Sequence, residues 1–247
     1  MSTLAEYFGA AYLINLPDRT DRLESAKKEL ARVGWDFGPR GIQLFPALKF
    51  SERAGFPNAG VRGAFQSHWE CLQRAHVGHH RGVLILEDDI GFSSALGPLT
   101  PSIISRLEAE DWDFVFFGHY ETGTIPNAHS KTTPEELRFD VWTTEIHGLH
   151  FYGVNRRILA RLNAHLKRVA NGAEGDQEAG PMPVDGALNV FRRINPDVKT
   201  LIAYPKLGWQ KSSRSDIMPG RLDRLRIFSP LTTALRNIKH VAAAWRS

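Results

Sequence analysis

Three consecutive acids, Glu87-Asp88-Asp89, close the apolar run Val83-Leu84-Ile85-Leu86. Adjacent carboxylates repel one another, and a divalent cation among them turns that cost into a gain, because hard cations prefer oxygen ligands. Strand alternation sends Glu87 and Asp89 to one side and Asp88 to the other. Mn²⁺ or Mg²⁺ is therefore expected on Glu87 and Asp89, or on Asp89 together with waters and phosphate oxygens. The plainer alternative is a solvated acidic turn that caps the next element. A metal at the carboxyl end of a buried strand points to a diphosphate-bearing substrate, with a sugar nucleotide as the natural candidate.

Other residues have types suited to the same chemistry. Arg19 and Arg22 lie three apart in Asn15-Leu16-Pro17-Asp18-Arg19-Thr20-Asp21-Arg22, on neighbouring positions of a helical turn. A guanidinium there can hold a phosphate with two hydrogen bonds or stack on a base. Equally, the two arginines can be solvated and paired with Asp18 and Asp21. Gly63-Ala64-Phe65-Gln66-Ser67-His68 is expected to open a helix, whose free N–H groups suit an anion. Gly63 would admit close backbone approach, and Ser67 and His68 would touch nucleotide or sugar; capping plus a packed histidine is the alternative. Asp185, in Pro183-Val184-Asp185-Gly186, is placed to take a proton from a hydroxyl or to cap its helix. His147 and His150 flank Gly148-Leu149 and would face opposite sides of a strand. No zinc-like spacing, Gly-x-Gly-x-x-Gly, Walker loop or Gly-x-Ser-x-Gly elbow is present.

The elements that must hold these residues read as alternating strands and helices. Tyr12 to Leu16 is a first strand, stopped by Pro17. A helix capped by Asp18 or Thr20 follows, with Leu23, Ala26, Leu30 and Val33 at helical spacing and Gly34 at its end. Residues 37 to 60 read as loop with a short strand near Ile42. A second helix carries Phe65, Trp69, Leu72 and His76 into the acidic strand. Further strands are expected at Asp113 to Gly118, Leu149 to Val154 and Leu201 to Pro205. Helices are expected through Ile158, Leu159, Leu162 and Leu166, and from Val184 through Leu188, Val190 and Phe191. Residues 121 to 136 read as a polar excursion, and 171 to 183 as a mobile loop. The pattern predicts an α/β domain with a largely parallel sheet flanked by helices.

With 247 residues, 42% hydrophobic and 23% charged, the chain is long enough for one large α/β domain and is not disordered in character. A lone cysteine, Cys71, excludes an intramolecular disulfide and favours a reducing compartment. The start lacks the pattern of a signal peptide, and no stretch is apolar enough to span a bilayer. A cytoplasmic location is expected. The formal charge is +4, and its excess lies largely in Arg221, Arg224, Arg226, Arg236, Lys239 and Arg246. Leu222, Leu225, Ile227, Phe228, Leu231, Leu235, Ile238 and Val241 interleave with these bases, and Pro230 divides them. Such a tail, residues 219–247, fits peripheral contact with an anionic membrane at its inner face; a helix packed on the core with a basic outer face fits as well. No nucleic-acid partner is expected.

Taken in order, these motifs resemble glycosyltransferase family 25, of the lipopolysaccharide-biosynthesis and collagen-galactosyltransferase type. The resemblance is carried by Ile14-Asn15-Leu16 with Arg19 and Arg22, by Gly63 through Ser67-His68, by Glu87-Asp88-Asp89, by Phe151-Tyr152-Gly153, by Pro183-Val184-Asp185, and by Gln210 with Ser215-Asp216-Ile217. It spans Tyr12 to Ile217. It implies a GT-A type fold over residues 1–218 with a Rossmann-like, mostly parallel sheet, a nucleotide-sugar donor, commonly UDP-galactose, and inversion at the anomeric carbon. A glycan or lipid-linked acceptor follows. Substrate contacts are then expected at Asn15, Arg19, Arg22, Gly63, Ser67, His68, Asp88, Gln210, Ser215 and Asp216. Metal is expected at Glu87 and Asp89, and the base at Asp185. Two rivals stand beside this reading: a nucleotidyltransferase, and a non-catalytic glycan- or nucleotide-binding module on the same scaffold.

Overall fold

A computed structural model describes residues 3–121 and 137–211. Short α1 (Leu4–Phe8) leads into β1 (Gly9–Asn15), α2 (Thr20–Arg32), β2 (Gln43–Pro46), α3 (Ala59–Val77) and β3 (Gly82–Glu87). Then come β4 (Ile90–Phe92), α4 (Leu96–Ala109), β5 (Phe114–Glu121), β6 (Arg138–Val141) and β7 (Ile146–Asn155). The described chain closes with α5 (Arg156–Asn171), α6 (Val184–Ile194), β8 (Thr200–Tyr204) and β9 (Gly208–Gln210).

Seven strands form one sheet in the order β2-β1-β3-β7-β5-β8-β6. β2, β1 and β3 run parallel, as do β5 and β8, while β7 is antiparallel to both β3 and β5 and β6 is antiparallel to β8. The sheet is thus mostly parallel, as the alternation of apolar runs predicts, with β7 reversed at its centre. Both faces are covered. Ile85, Phe114, Phe116, Tyr152 and Val154 meet Phe65, Leu72, Leu159, Leu166 and Phe191 of α3, α5 and α6. On the other face Leu13, Leu84, Leu86 and Phe117 meet Leu4, Phe8, Ala26, Leu30, Leu96 and Ile103 of α1, α2 and α4. Residues buried on alternate faces explain why β3 reads as a continuous apolar run.

Several elements differ from the sequence reading. Helix α4 contains Pro101 and begins Leu96-Gly97-Pro98, so breaker residues mask its apolar stripe of Leu96, Ile103 and Leu107. Helix α2 starts at Thr20 with Arg19 at its cap and no side-chain cap, neither Asp18 nor Thr20 filling that role. Helix α3 starts at Ala59, capped by the Asn58 side chain accepting from the Val61 N–H at 2.8 Å, so Gly63 lies within the helix rather than at its opening. The segment before α6, expected to be a mobile loop, is folded onto Asp176, whose carboxylate accepts from the N–H groups of Glu178 and Ala179. Ion pairs from Arg53 to Glu174 and Arg193 to Glu178 span it.

Candidate active site

The carboxyl ends of β1, β3 and β5 share one edge of the sheet, and the reversed β7 brings its first residues to that same edge. Strand β3 ends at Glu87, and Asp88-Asp89 make the turn into β4. β4 pairs with β9, setting Ile90 opposite Gln210, and the Lys211 N–H donates to the Asp89 carbonyl at 2.6 Å. That two-stranded sheet is what delivers Gln210 to the acids across more than a hundred residues of sequence.

The three carboxylates divide as alternation predicts. Asp88 turns toward β1 and α2: it accepts from Asn15 Nδ2 at 2.7 Å and Arg22 Nη1 at 3.0 Å. Glu87 and Asp89 share the other side, where Gln210 Nε2 donates to Asp89 Oδ2 at 2.9 Å and reaches Glu87 Oε2 at 3.4 Å. Arg22 Nη1 also lies 3.7 Å from Asp89. Glu87 meets His68 Nε2 at 3.3 Å, and His68 Nδ1 lies 3.0 Å from the Tyr152 hydroxyl.

Burial dominates the electrostatics. It pushes the Asp88 carboxyl up despite Arg22 and Asn15. It raises Asp89 to about 7, aided by the neighbouring Glu87 charge. For Glu87 burial acts upward too, but the hydrogen bond and charge of His68 outweigh it and hold this carboxyl low. Asp89 Oδ1 is buried with no hydrogen-bond partner. A buried, unsatisfied carboxylate oxygen is costly, and a cation bound at Asp89 would remove that cost. Among the described residues no three His, Cys, Asp or Glu side chains converge on a common point. The donor set therefore does not form a protein cage; it fits an ion such as Mg²⁺ that takes one or two carboxylates and completes its shell with waters and substrate phosphates.

Beyond the acids lies a rim of aromatic and imidazole groups. The β5–β7 pairing slips twice, between Phe116 and Gly118 and between Gly118 and Tyr120, and such irregularities re-aim side chains. Gly118 has no room for a side chain: a Cβ there would sit 2.5 Å from His150 Nε2 and 2.6 Å from the Gly208 carbonyl. Gly148, at φ +75°, lies under the Tyr120 ring, with a Cβ position 2.7 Å from Tyr120 Cδ2. Tyr120 is 43% exposed, and after burial the charges of Asp89 and Glu87 raise its hydroxyl. Burial lowers His150 to about 4 against the pull of Glu87. Opposite Tyr120 in the ladder is His147, whose Nδ1 lies 3.4 Å from Asp185 Oδ2 on α6.

The sequence-predicted residues thus fall into distinct positions. Asn15, Arg22, His68, Glu87, Asp88, Asp89 and Gln210 form one connected cluster. Arg22 is turned inward onto the acids. Arg19 forms a two-bond pair with Asp21, although its side chain is only 17% exposed and Asp18 pairs with Lys49 instead. Ser67 is fully buried; its hydroxyl donates to the Gly63 carbonyl at 2.7 Å and accepts from the Leu48 N–H at 2.8 Å. Direct contact of Ser67 with a ligand is therefore corrected to a role in holding the loop after β2. Gly63 admits close backbone approach, but of that same loop: a Cβ would lie 2.5 Å from the Leu48 carbonyl. Asp185 stands in the first turn of α6, with Pro183 at the cap. Ser215, Asp216 and the basic tail 219–247 lie outside the described residues. Tyr120 carries no sequence signal of its own, while His147, His150 and Tyr152 are visible in the sequence without a role that it assigns them.

No family model matches the chain. It is similar to procollagen galactosyltransferase 1-B of Xenopus laevis, 26% identical over an alignment of 129 residues that takes in 45% of this chain and 21% of that protein. The chain thus spans about a fifth of the length of this curated relative. A crystal structure of a glycosyltransferase involved in glycosylation of the major capsid of PBCV-1 superposes with a TM-score of 0.48 at 14% identity, covering 83% of this chain and 93% of that one. Among the described residues no helix is long and apolar enough to cross a membrane.

Proposed function

We propose that this chain is an inverting, metal-dependent glycosyltransferase of GT-A type, moving a sugar from a nucleotide donor to a glycan or lipid-linked acceptor. UDP-galactose is the donor we favour. The observation that carries the proposal is the buried acidic turn at the carboxyl edge of a parallel sheet, with Asp89 Oδ1 left without a partner. The resemblance of the ordered motifs to family 25, and the similarity of part of the chain to a procollagen galactosyltransferase, support the choice of reaction.

Asp89, with Glu87 beside it, would hold Mn²⁺ or Mg²⁺; when bound, the cation supplies Lewis-acid neutralisation of the charge developing on the leaving diphosphate. Arg22 and Asn15 hold Asp88, and so hold the turn that carries Asp89. His68, braced by Tyr152, orients Glu87. Asp185 stands on the acceptor side, where a basic group must take the proton of the attacking hydroxyl. In a single displacement the acceptor oxygen bonds to the anomeric carbon as the bond to the diphosphate breaks, inverting that centre.

The test is Mn²⁺-dependent hydrolysis across a panel of nucleotide sugars, comparing wild type with Asp89→Asn. Release of UDP from one donor, lost in the variant and on chelation, is the expected result. No turnover together with no metal-dependent donor binding would hand the lead to the binding-module reading.

A further inference from the structure

We propose that the group which receives the acceptor's proton is Nε2 of His147, with Asp185 acting as the residue that orients it. The inference rests on the transferase reading and reassigns the base within it. Asp185 is poorly placed to act by itself. Its Oδ1 accepts from the N–H of Gly186 at 2.9 Å and its Oδ2 faces His147 Nδ1 at 3.4 Å. One oxygen is thus taken by the backbone and the other faces the imidazole, and the side chain is 29% exposed against 44% for His147.

Imidazole chemistry does the rest. If Nδ1–H donates to Asp185, Nε2 carries the lone pair and is the basic atom. The separation is long for a hydrogen bond, as catalytic pairs often are before substrate arrives. Position supports the role. His147 pairs across the ladder with Tyr120, two residues beyond Gly118, whose backbone abuts the Gly208 carbonyl of the strand that carries Gln210 to Asp89. The reversal of β7 brings His147 to the edge of the sheet where the acidic turn lies. An acceptor sugar lying on the exposed Tyr120 ring would thus be flanked by the donor site on one side and His147 on the other. The charged and titratable groups facing His147 are Asp185 from α6, Tyr120 from β5, and Glu145, whose Oε2 is 3.7 Å from Nε2. In the step itself, the proton passes from the acceptor hydroxyl to Nε2. The acceptor oxygen bonds to the anomeric carbon, the electron pair of the broken bond leaves with UDP, and the imidazolium returns its proton to water.

Two measurements test this. Long-range ¹H–¹⁵N spectra of the full chain should show the Nδ1–H tautomer for neutral His147, replaced by the commoner Nε2–H form in Asp185→Asn. Turnover of the nucleotide sugar hydrolysed by wild type should fall about 100-fold in His147→Gln, with donor KM little changed, and exogenous imidazole should restore part of it in His147→Ala. A merely structural histidine would not be rescued in that way. Wild-type turnover in His147→Gln, or an Nε2–H tautomer in the unaltered protein, overturns the inference and leaves the transferase reading standing. Failure of the wild type to turn over any donor removes that reading, and the inference with it.

Discussion

Replacing Arg22 by Met should be among the most damaging single changes in the site, and its cost can be worked from the geometry. The side chains of Arg22 and Asp88 are 13% and 8% exposed and lie 3.0 Å apart, with Asp89 7% exposed at 3.7 Å from the same nitrogen. Methionine keeps most of the volume but removes the guanidinium from two buried carboxylates, leaving Asp88 with the Asn15 amide. Breaking a buried pair by deleting one partner costs roughly 3–5 kcal/mol. For a chain of this length that corresponds to a fall in Tm of about 10 °C. Asp88→Asn in the same background removes one of the stranded charges, so the double variant should be less destabilised than the sum of the singles by about 1–3 kcal/mol. Urea unfolding followed by circular dichroism at pH 7 measures all four species. Because the pair is shielded from solvent, the coupling should change little between low salt and 0.5 M NaCl. A cost below about 1 kcal/mol for Arg22→Met, or a coupling indistinguishable from zero, would refute the reasoning that this arginine compensates the buried charge of Asp88 and Asp89.

Three further outcomes follow from the same coordinates. His119 is buried and held at about 3, against the usual 6.5, by desolvation and then by Lys206. Its folded-state value is depressed, so the stability it permits is complete above the unfolded value and is lost as pH falls from there toward 3. One such group removes at most about 2 kcal/mol between pH 6.5 and 5, and His119→Gln should flatten that part of a urea-midpoint profile. Gly148→Ala forces a side chain into φ +75° with its Cβ 2.7 Å from the Tyr120 ring; a loss of about 1–3 kcal/mol in unfolding free energy is expected, and a neutral result would show that the bulge is not held. Cys71 is fully buried, and burial pushes its thiol far above the usual range; it should resist a thiol-reactive chromophore in native protein and react stoichiometrically in urea.

Much of the fold is legible along the chain because local patterns and tertiary partners agree. Val83 to Leu86 is apolar on both faces because α3 and α5 cover one side of β3 and α1, with α2 and α4, the other, and a helix such as α5 shows its buried stripe at Ile158, Leu162 and Leu166. Helix α4 escaped because Gly97, Pro98 and Pro101 interrupt its pattern, although its buried face packs like the others. The start of α3 was misplaced because Asn58, the residue that caps it, lies in a Gly- and Pro-rich stretch that reads as loop.

The sequence by itself determined which carboxylates cluster at the end of the buried strand; Asp88 meets Asn15 and Arg22, while Glu87 and Asp89 share Gln210. It also named Asn15, Arg22, His68 and Gln210, through the resemblance to an ordered family pattern, and these four join the acidic cluster. What it did not determine is whom they touch. Arg22 faces Asp88 because α2 packs beside the β3 edge, Gln210 reaches Asp89 because β4 pairs with β9, and Ser67 bonds to a loop because α3 begins a turn earlier than its motif implies. His147 comes beside Asp185, and opposite Tyr120, because β7 runs backwards through the sheet and its register with β5 slips on either side of Gly118. Side-chain periodicity is a local property, readable within a few residues; strand order, direction and register are set by long-range pairing, and those decide the chemistry at this edge.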